Sequence, residues 1–348
     1  MNSHTLNEIL SQPDAWVAAL DVLTETRRCV LDIEPSGRYE QVIFIGCGST
    51  YYLSLAASAL TQDLTGLPSR AFPASELWLY PGSSYIAKKT LLVAVSRSGE
   101  TTETLRACQA FLERKRGDLL TLSCYGEMPL AKMGALNIVL PSGQEQSVAQ
   151  TRAFSTLYLA TVALASLWGG HATQFDSLSD LPEAGRNILA QALPLASDIG
   201  PDKSIDRFYW LGSGPRYGLA SELSLKMKEM SLSHSEPFHF MEFRHGPKSM
   251  ITPSSLTIGL RSTLNGQKEA AVMQDVKALG GRILTIAETG SETLSRGTDR
   301  TLWFESGLDE AMRNVLYLPV GQLIAFERSI SKNLNPDQPS NLDAVVKL

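Results

Sequence analysis

Glu222, Lys226 and Glu229 are spaced i, i+4 and i+7, so on a helix all three share one face. If such a row is desolvated, burial raises a carboxyl pKa toward neutrality and fits it for proton transfer. The same spacing also describes a solvated ladder that stabilises its helix by roughly a few tenths of a kcal/mol per pair. Leu219, Leu223, Met227 and Met230 supply a neighbouring apolar face, and the turn Gly212-Ser213-Gly214 stands just ahead, which favours a helix apolar over much of its circumference. Lys228 points the opposite way and reads as a surface charge. Downstream, FHFMEFRHGPKSM over Phe238–Met250 brings His239, Glu242, Arg244, His245 and Lys248 close in sequence. His245 precedes Gly246-Pro247 on irregular backbone, a setting that suits a functional histidine, although a single histidine is more often a satisfied polar group. His4, His171, His234 and His239 read as ordinary polar groups.

A second stretch, LLVAVSRSGETTET over Leu91–Thr104, is suited to holding an anion. Its apolar run is of buried-strand type and stops abruptly at Ser96, Arg97, Ser98 and Gly99. Glu100–Glu103 then open a helix whose first N–H groups lack intrahelical partners and whose dipole favours negative charge. Ser96, Ser98 and Thr101 add hydroxyl donors, and Gly99 permits a tight turn. A phosphate fits these parts. A simple capped turn uses the same residue types, so the stretch alone describes either.

Around these stretches the chain reads as a duplication. Residues 3–35 are predicted helices, with Pro13 as a break or first-turn residue. Strands are expected at Gln41–Gly48, Leu91–Val95, Asp118–Cys124 and Asn137–Leu140. Helices follow the first two, and another spans Gln150–Leu167. This ordering predicts an α/β fold with a mostly parallel sheet covered on both faces. Residues 171–203, with Pro182, Pro194 and Pro201, read as the connection. FYWLGSG over Phe208–Gly214 then echoes VIFIGCG over Val42–Gly48. Helices at Arg216–Ser231, Gln267–Leu279 and Asp309–Arg328 alternate with strands at Ser255–Leu260, Arg282–Ile286 and Thr301–Phe304. The expected divisions are a helical segment at 1–35, a first domain at 36–195 and a second at 196–348. The loop after Leu260, Arg261-Ser-Thr-Leu-Asn-Gly, lacks the Ser-x-Ser-Gly-x-Thr pattern. Only the first copy is therefore expected to hold phosphate strongly.

The 348 residues are 43% hydrophobic and 19% charged, with net charge −5, as in a soluble globular protein. The absence of a dense Lys/Arg run argues against nucleic-acid binding. No secretory signal or membrane span is read, so a membrane partner is not expected. Cys29, Cys47, Cys108 and Cys124 form no CxxC pair and suit a reducing cytoplasm. No zinc-ligand spacing is found, and neither a metal nor an organic cofactor is expected.

Six motifs in order resemble the sugar isomerase (SIS) domain family. They are Gly46-Cys-Gly-Ser-Thr-Tyr51, Ser96-Arg-Ser-Gly-Glu-Thr101, Ser147-Val-Ala-Gln-Thr-Arg-Ala-Phe154, Glu222-Leu-Ser-Leu-Lys-Met-Lys-Glu229, Glu242-Phe-Arg-His-Gly-Pro247 and Asn335-Pro-Asp-Gln-Pro339. From about Gln41 onward the chain is similar to tandem SIS proteins, typified by the isomerase half of glucosamine-6-phosphate synthase, amino-sugar-phosphate deaminases and Amadori-product deglycases. The resemblance implies two flavodoxin-like doubly wound parallel-sheet domains in tandem, a homodimer with sites near the subunit interface, and a hexose phosphate or amino-sugar phosphate as ligand. It implies a phosphate cradle of Gly48, Ser49, Thr50, Ser96, Arg97, Ser98 and Thr101, with Val148 and Gln150 lining the sugar. Glu229 matches the carboxylate that moves a proton between C1 and C2. His245 matches the ring-opening histidine, contributed by the neighbouring subunit, and Glu222 and Lys226 match the supporting ladder.

Three departures shape the expected reaction. No glutaminase domain is read, and Asn2 stands where its cysteine nucleophile would, so release of ammonia from glutamine is not expected. Ala344 occupies the position of the synthase's Schiff-base lysine, with Lys347 nearby. Gln150 replaces a serine in the sugar pocket. The expectation is a cytoplasmic deaminase or deglycase acting on an amino-sugar phosphate or sugar-phosphate amine adduct. The alternatives are an aldose–ketose phosphosugar isomerase that releases no nitrogen, or a non-catalytic phosphosugar sensor.

Overall fold

The computed structural model describes residues 3–84, 89–290, 299–346 and 348. Two compact units are present. One comprises Ser11–Gln146, Gln150–Ser179 and Asp343–Leu348, and the other Met1–Leu10, Ser147–Ala149 and Asp180–Leu342.

The first unit is built on β1 (Gln41–Gly46), β2 (Ser69–Pro73), β3 (Thr90–Ser96), β4 (Gly117–Ser123) and β5 (Leu136–Val139). They pair in parallel in the order β2-β1-β3-β4-β5. Every residue of β1 and β3 is buried, as expected for central strands covered on both faces. Ile43, Ile45, Leu92 and Ala94 pack against Ala107 and Phe111 of the helix Thr102–Arg114. The helix Arg152–Trp168 is buried on all sides, which suits its uninterrupted apolar and small-residue sequence. Trp16, on the helix Gln12–Glu25, donates from its indole nitrogen to Ser155 Oγ at 3.0 Å. Pro13 sits in the first turn of that helix, where its missing N–H is harmless.

In the second unit β6 (Arg207–Leu211), β7 (His234–Phe238), β8 (Ser255–Leu260), β9 (Arg282–Glu288) and β10 (Arg300–Phe304) are again all parallel. Their order is β10-β9-β8-β6-β7, the same topology read from the other edge. Both sheets are thus doubly wound α/β sheets of flavodoxin-like order.

Register explains where a ligand can sit. Ile45 of β1 lies beside Ala94 of β3, so the two strands end together, and the chain leaves them toward helices Ser49–Thr65 and Thr102–Arg114. Strand order reverses there, and open α/β sheets bind ligands in the crevice at the carboxyl ends of such strands. The edge strands β2 and β7 are absent from the sequence reading. Arg70 and Pro73 in one, and Glu236 and Pro237 in the other, interrupt the apolar run that marks a central strand. The helix expected over 309–328 is broken into Glu310–Arg313, a 3-10 turn Asn314–Leu316 and Tyr317–Ser331. Pro319, which has no N–H to donate, stands just after the break. Among the described residues no helix is long and apolar enough to cross a membrane.

The helix after β1 presses directly onto the strand end. A Cβ on Gly46 would lie 2.4 Å from the carbonyl carbon and oxygen of Thr50. Gly46→Ala should therefore destabilise the protein by about 1–3 kcal/mol or more, read as a lower urea midpoint. An unchanged midpoint would show that this turn can relax.

Candidate active site

The helix Pro215–Ser231 places the polar ladder inside the second unit. Glu222 and Lys226 are fully buried, and Lys226 Nζ lies 3.3 Å from Glu222 Oε1. Lys226 also forms a tight ion pair with Glu229. Glu229 alone reaches solvent, with its side chain 15% exposed. Burial by itself would lower the Lys226 pKa, but the two carboxylates raise it above the ordinary lysine value. Lys226 is thus a fixed cation that holds Glu229 in one orientation with an edge open to solvent. Lys228 is exposed.

His245 is exposed, between the short helix Phe240–Phe243 and a 3-10 turn at Pro247–Met250. Its backbone N–H donates to Glu242 O at 2.9 Å. The neighbouring His239 ring stacks on Tyr217 at 3.9 Å, and burial lowers its pKa. Val148 belongs to this unit as well, its N–H donating to Asp337 O at 3.0 Å.

The hydroxyl loop lies in the first unit, at the carboxyl end of β3. Thr101 is the N-cap residue of helix Thr102–Arg114, yet its side chain makes no capping hydrogen bond. Its Oγ1 lies 3.4 Å from both Ser96 Oγ and Ser98 Oγ, so three hydroxyls converge ahead of the helix. Ser96 Oγ accepts from Gly99 N–H at 3.1 Å and Ser98 Oγ from Glu100 N–H at 3.3 Å, which leaves hydroxyl protons to donate. Gly99 makes the turn at φ 69°. Three hydroxyls thus gather at a positive helix end, and two of them also close the turn by accepting from the N–H groups of Gly99 and Glu100.

Other residues of the expected cradle are engaged elsewhere. Thr50 Oγ1 accepts from Cys47 N–H at 2.9 Å and donates to Cys47 O at 3.0 Å, closing the turn after β1. Ser49 is buried in the first helical turn, and Gly48 takes φ 55°. The Arg97 guanidinium pairs with the buried Glu145 carboxylate at 3.3 Å and donates to Ala344 O at 3.0 Å. Glu145 also accepts from the N–H and Oγ1 of Thr151 at 2.8 and 2.9 Å. Gln150 Oε1 is buried with no hydrogen-bond partner, an acceptor that a ligand hydroxyl or amine could satisfy. The tail lies against the same loop, with Val346 O 3.4 Å from Thr102 N. Lys347 lies outside the described residues.

The sequence reading passed over Glu145 and Glu310. Glu310 sits among Arg216, Ser262 and Thr263 of the second unit. Burial raises its pKa, but Arg216 and the hydroxyls of Ser262 and Thr263 outweigh this and hold it at about 2. Burial pushes the neighbouring Glu269 up instead. Glu145 is a lone acid in its stretch and Glu310 one of the pair Asp309-Glu310, and neither has a spacing that marks it. A separate cavity of about 850 Å³ opens at the amino ends of β8–β10. It holds none of the expected site residues, and its charges pair with one another, as Arg282–Asp202 and Arg300–Asp198.

The SIS domain model matches residues 38–167 and 203–319, and the chain belongs to that family. Glutamine–fructose-6-phosphate aminotransferase (isomerizing) of Methanothermobacter thermautotrophicus is 27% identical over 343 residues, covering 97% of this chain and 56% of the relative. The chain thus spans about half the length of the curated relatives it matches. Glucosamine-6-phosphate deaminase from Thermotoga maritima superposes with TM-score 0.82 at 26% identity, covering 99% of this chain and 100% of its own. Tagatose-6-phosphate ketose/aldose isomerase from Escherichia coli shares the fold, with TM-score 0.88 at 20% identity over 98% and 96% of the two chains.

Two outcomes follow from the buried charges. Lys226→Met leaves buried carboxylates without their cation and should cost about 3–5 kcal/mol, measured by urea unfolding; a loss below 1 kcal/mol would mean that water already compensates them. Glu310 has a folded pKa of about 2 against an ordinary 4.5, so its stabilisation is complete above pH 4.5 and lost as pH falls through 2. The stability difference between wild type and Glu310→Gln should therefore shrink across that window. A difference independent of pH would show that the charge of Glu310 contributes nothing.

Proposed function

We propose that this chain is an enzyme that processes phosphorylated sugars, acting on an amino-sugar phosphate or sugar-phosphate amine adduct with release of the nitrogen. The observation that carries the reading is the row Glu222–Lys226–Glu229. A buried ammonium anchors a carboxylate whose free edge alone meets solvent. A single positioned carboxylate suffices to carry a proton between adjacent carbons on one face of an open-chain sugar. The hydroxyls of Ser96, Ser98 and Thr101 would take the phosphate. Arg97 and Thr50 would shape that loop, and Gly48 and Ser49 its neighbour. Val148 and Gln150 would meet the sugar, with Gln150 Oε1 accepting from a hydroxyl or amine.

The steps balance with water alone. His245 moves a proton between the ring oxygen and the C1 hydroxyl to open the sugar to an aldehyde. Glu229 takes the C2 proton while the substrate's ammonium gives one to O1, forming a C1–C2 enolamine. Glu229 then returns its proton to C1, which leaves an iminium at C2. Water adds to C2, the C–N bond breaks and ammonia departs, yielding a ketose phosphate. The deaminase relative, matched over the full length of both chains, supports nitrogen release. So does Ala344, which has no amine to form a Schiff base at the position of the synthase lysine. A plain aldose–ketose isomerase would use the same base without the final hydrolysis.

Glucosamine 6-phosphate and galactosamine 6-phosphate, assayed for ammonia and ketose phosphate, test this reading. Ammonia in step with ketose supports it, and turnover of an aldose phosphate without ammonia would replace it with isomerisation. Glu229→Gln should lower kcat by about 10²–10⁴-fold while changing phosphosugar affinity little. Full activity in that variant would remove Glu229 from the mechanism, and saturable binding with no turnover on any hexose phosphate would make the chain a sensor.

A further inference from the structure

The second unit repeats the cradle architecture of the first. Gly48 and Gly214 adopt φ of 55° and 57° in matching turns after β1 and β6. A Cβ on Gly46 would strike the carbonyl carbon of Thr50 at 2.4 Å, and one on Gly212 that of Arg216 at 2.6 Å. Arg216 therefore holds the place of Thr50. Ser262 lies between β8 and the helix Gly266–Ala278, as Ser98 lies between β3 and Thr102–Arg114. Glu310 stands as far beyond β10, and as far ahead of the helix Tyr317–Ser331, as Glu145 stands beyond β5 and ahead of Arg152–Trp168.

The two equivalent carboxylates are used differently. Glu145 is held by Arg97 and Thr151. Glu310 enters its cradle. Ser262 Oγ is 2.7 Å from Oε1 and 2.9 Å from Oε2. Oε2 also accepts from Thr263 N–H at 2.7 Å, Thr263 Oγ1 at 2.8 Å and Leu264 N–H at 3.3 Å. The buried Arg216 guanidinium pairs with Oε1, and Arg313 Nη2 lies 3.8 Å from Oε2. Two backbone N–H groups, two hydroxyls and the Arg216 guanidinium around one oxyanion, with the Arg313 charge just beyond and donating to Thr263 Oγ1 at 3.0 Å, are the donor set of a phosphate site.

We propose that the second unit carries an oxyanion site for inorganic phosphate or a phosphate monoester, and that the Glu310 carboxylate is its resident internal anion. One cradle is left open by the way Arg97 and Thr151 hold Glu145; the other is kept filled by the chain's own side chain. Removing Glu310 exposes the donors and opens the site.

Calorimetric titration of inorganic phosphate into wild type, Glu310→Ala and Glu310→Ala/Thr263→Val tests this. Glu310→Ala should bind one more phosphate per chain than wild type, and phosphate should raise its Tm by more than it raises that of wild type. Adding Thr263→Val, at the exposed lip, should weaken the added site severalfold. The comparison is with wild type, so it holds whether or not the first cradle takes phosphate. A Glu310→Ala protein that binds no more phosphate than wild type overturns the proposal. If that variant is recovered unfolded, refolding with and without phosphate decides: recovery that requires phosphate supports the site, and failure in both overturns it.

Discussion

A charged group taken out of water needs an opposite charge within hydrogen-bond range, because its hydration is lost and only a close partner replaces it. In this chain that requirement positions the side chains of the candidate site. Lys226 has no exposure at all, so Glu222 and Glu229 must stay beside it, and Glu229 is thereby aimed with one edge toward solvent. Arg97 and Glu145 are a second such pair, with side chains 7% and 0% exposed, and they fix the loop that carries Ser96, Ser98 and Thr101. Arg216, held between Glu269 and Glu310, is the third. Removing one partner from any of these leaves a stranded charge, so each works as a rigid support.

The duplication turns this constraint to two uses. Both units share strand order, the glycine turn and a helix pressed against the strand end. In one, a guanidinium in the hydroxyl loop binds the acid ahead of the following helix. In the other, a guanidinium in the glycine-turn helix draws the equivalent acid into the loop. Thr50 against Arg216 is the decisive exchange. A threonine closes its own turn through Cys47 and adds no charge, whereas an arginine at that place demands a carboxylate partner. The donors of the second loop are thus occupied by an acid that lies outside that loop.

Much of the architecture was legible in residue order. VIFIGCG and LLVAVSRSG read as buried strands ending in turns because β-branched and apolar runs have few alternatives once both faces are covered. The Glu222–Lys226–Glu229 face follows from helical periodicity alone. The edge strands β2 and β7 were not legible, since their half-buried positions tolerate Arg70, Pro73, Glu236 and Pro237, which break the pattern. The edge strands β5 and β10 keep enough apolar residues to be read. Glu145, Glu310 and Glu269 were not legible either, since Glu145 meets Arg97, and Glu310 and Glu269 meet Arg216, across long stretches of chain.

The sequence by itself determined the α/β alternation, the two glycine turns and which side chains share the ladder face, because these depend on spacings of a few residues along one element. Only the tertiary structure decided which hydroxyls close their own turn and which converge ahead of a helix. It also decided that Arg97 serves Glu145 and the tail carbonyl of Ala344, and that Glu310 fills the second cradle. Those outcomes rest on the pairing of buried charges from separate elements, and no local spacing records which charge will find which.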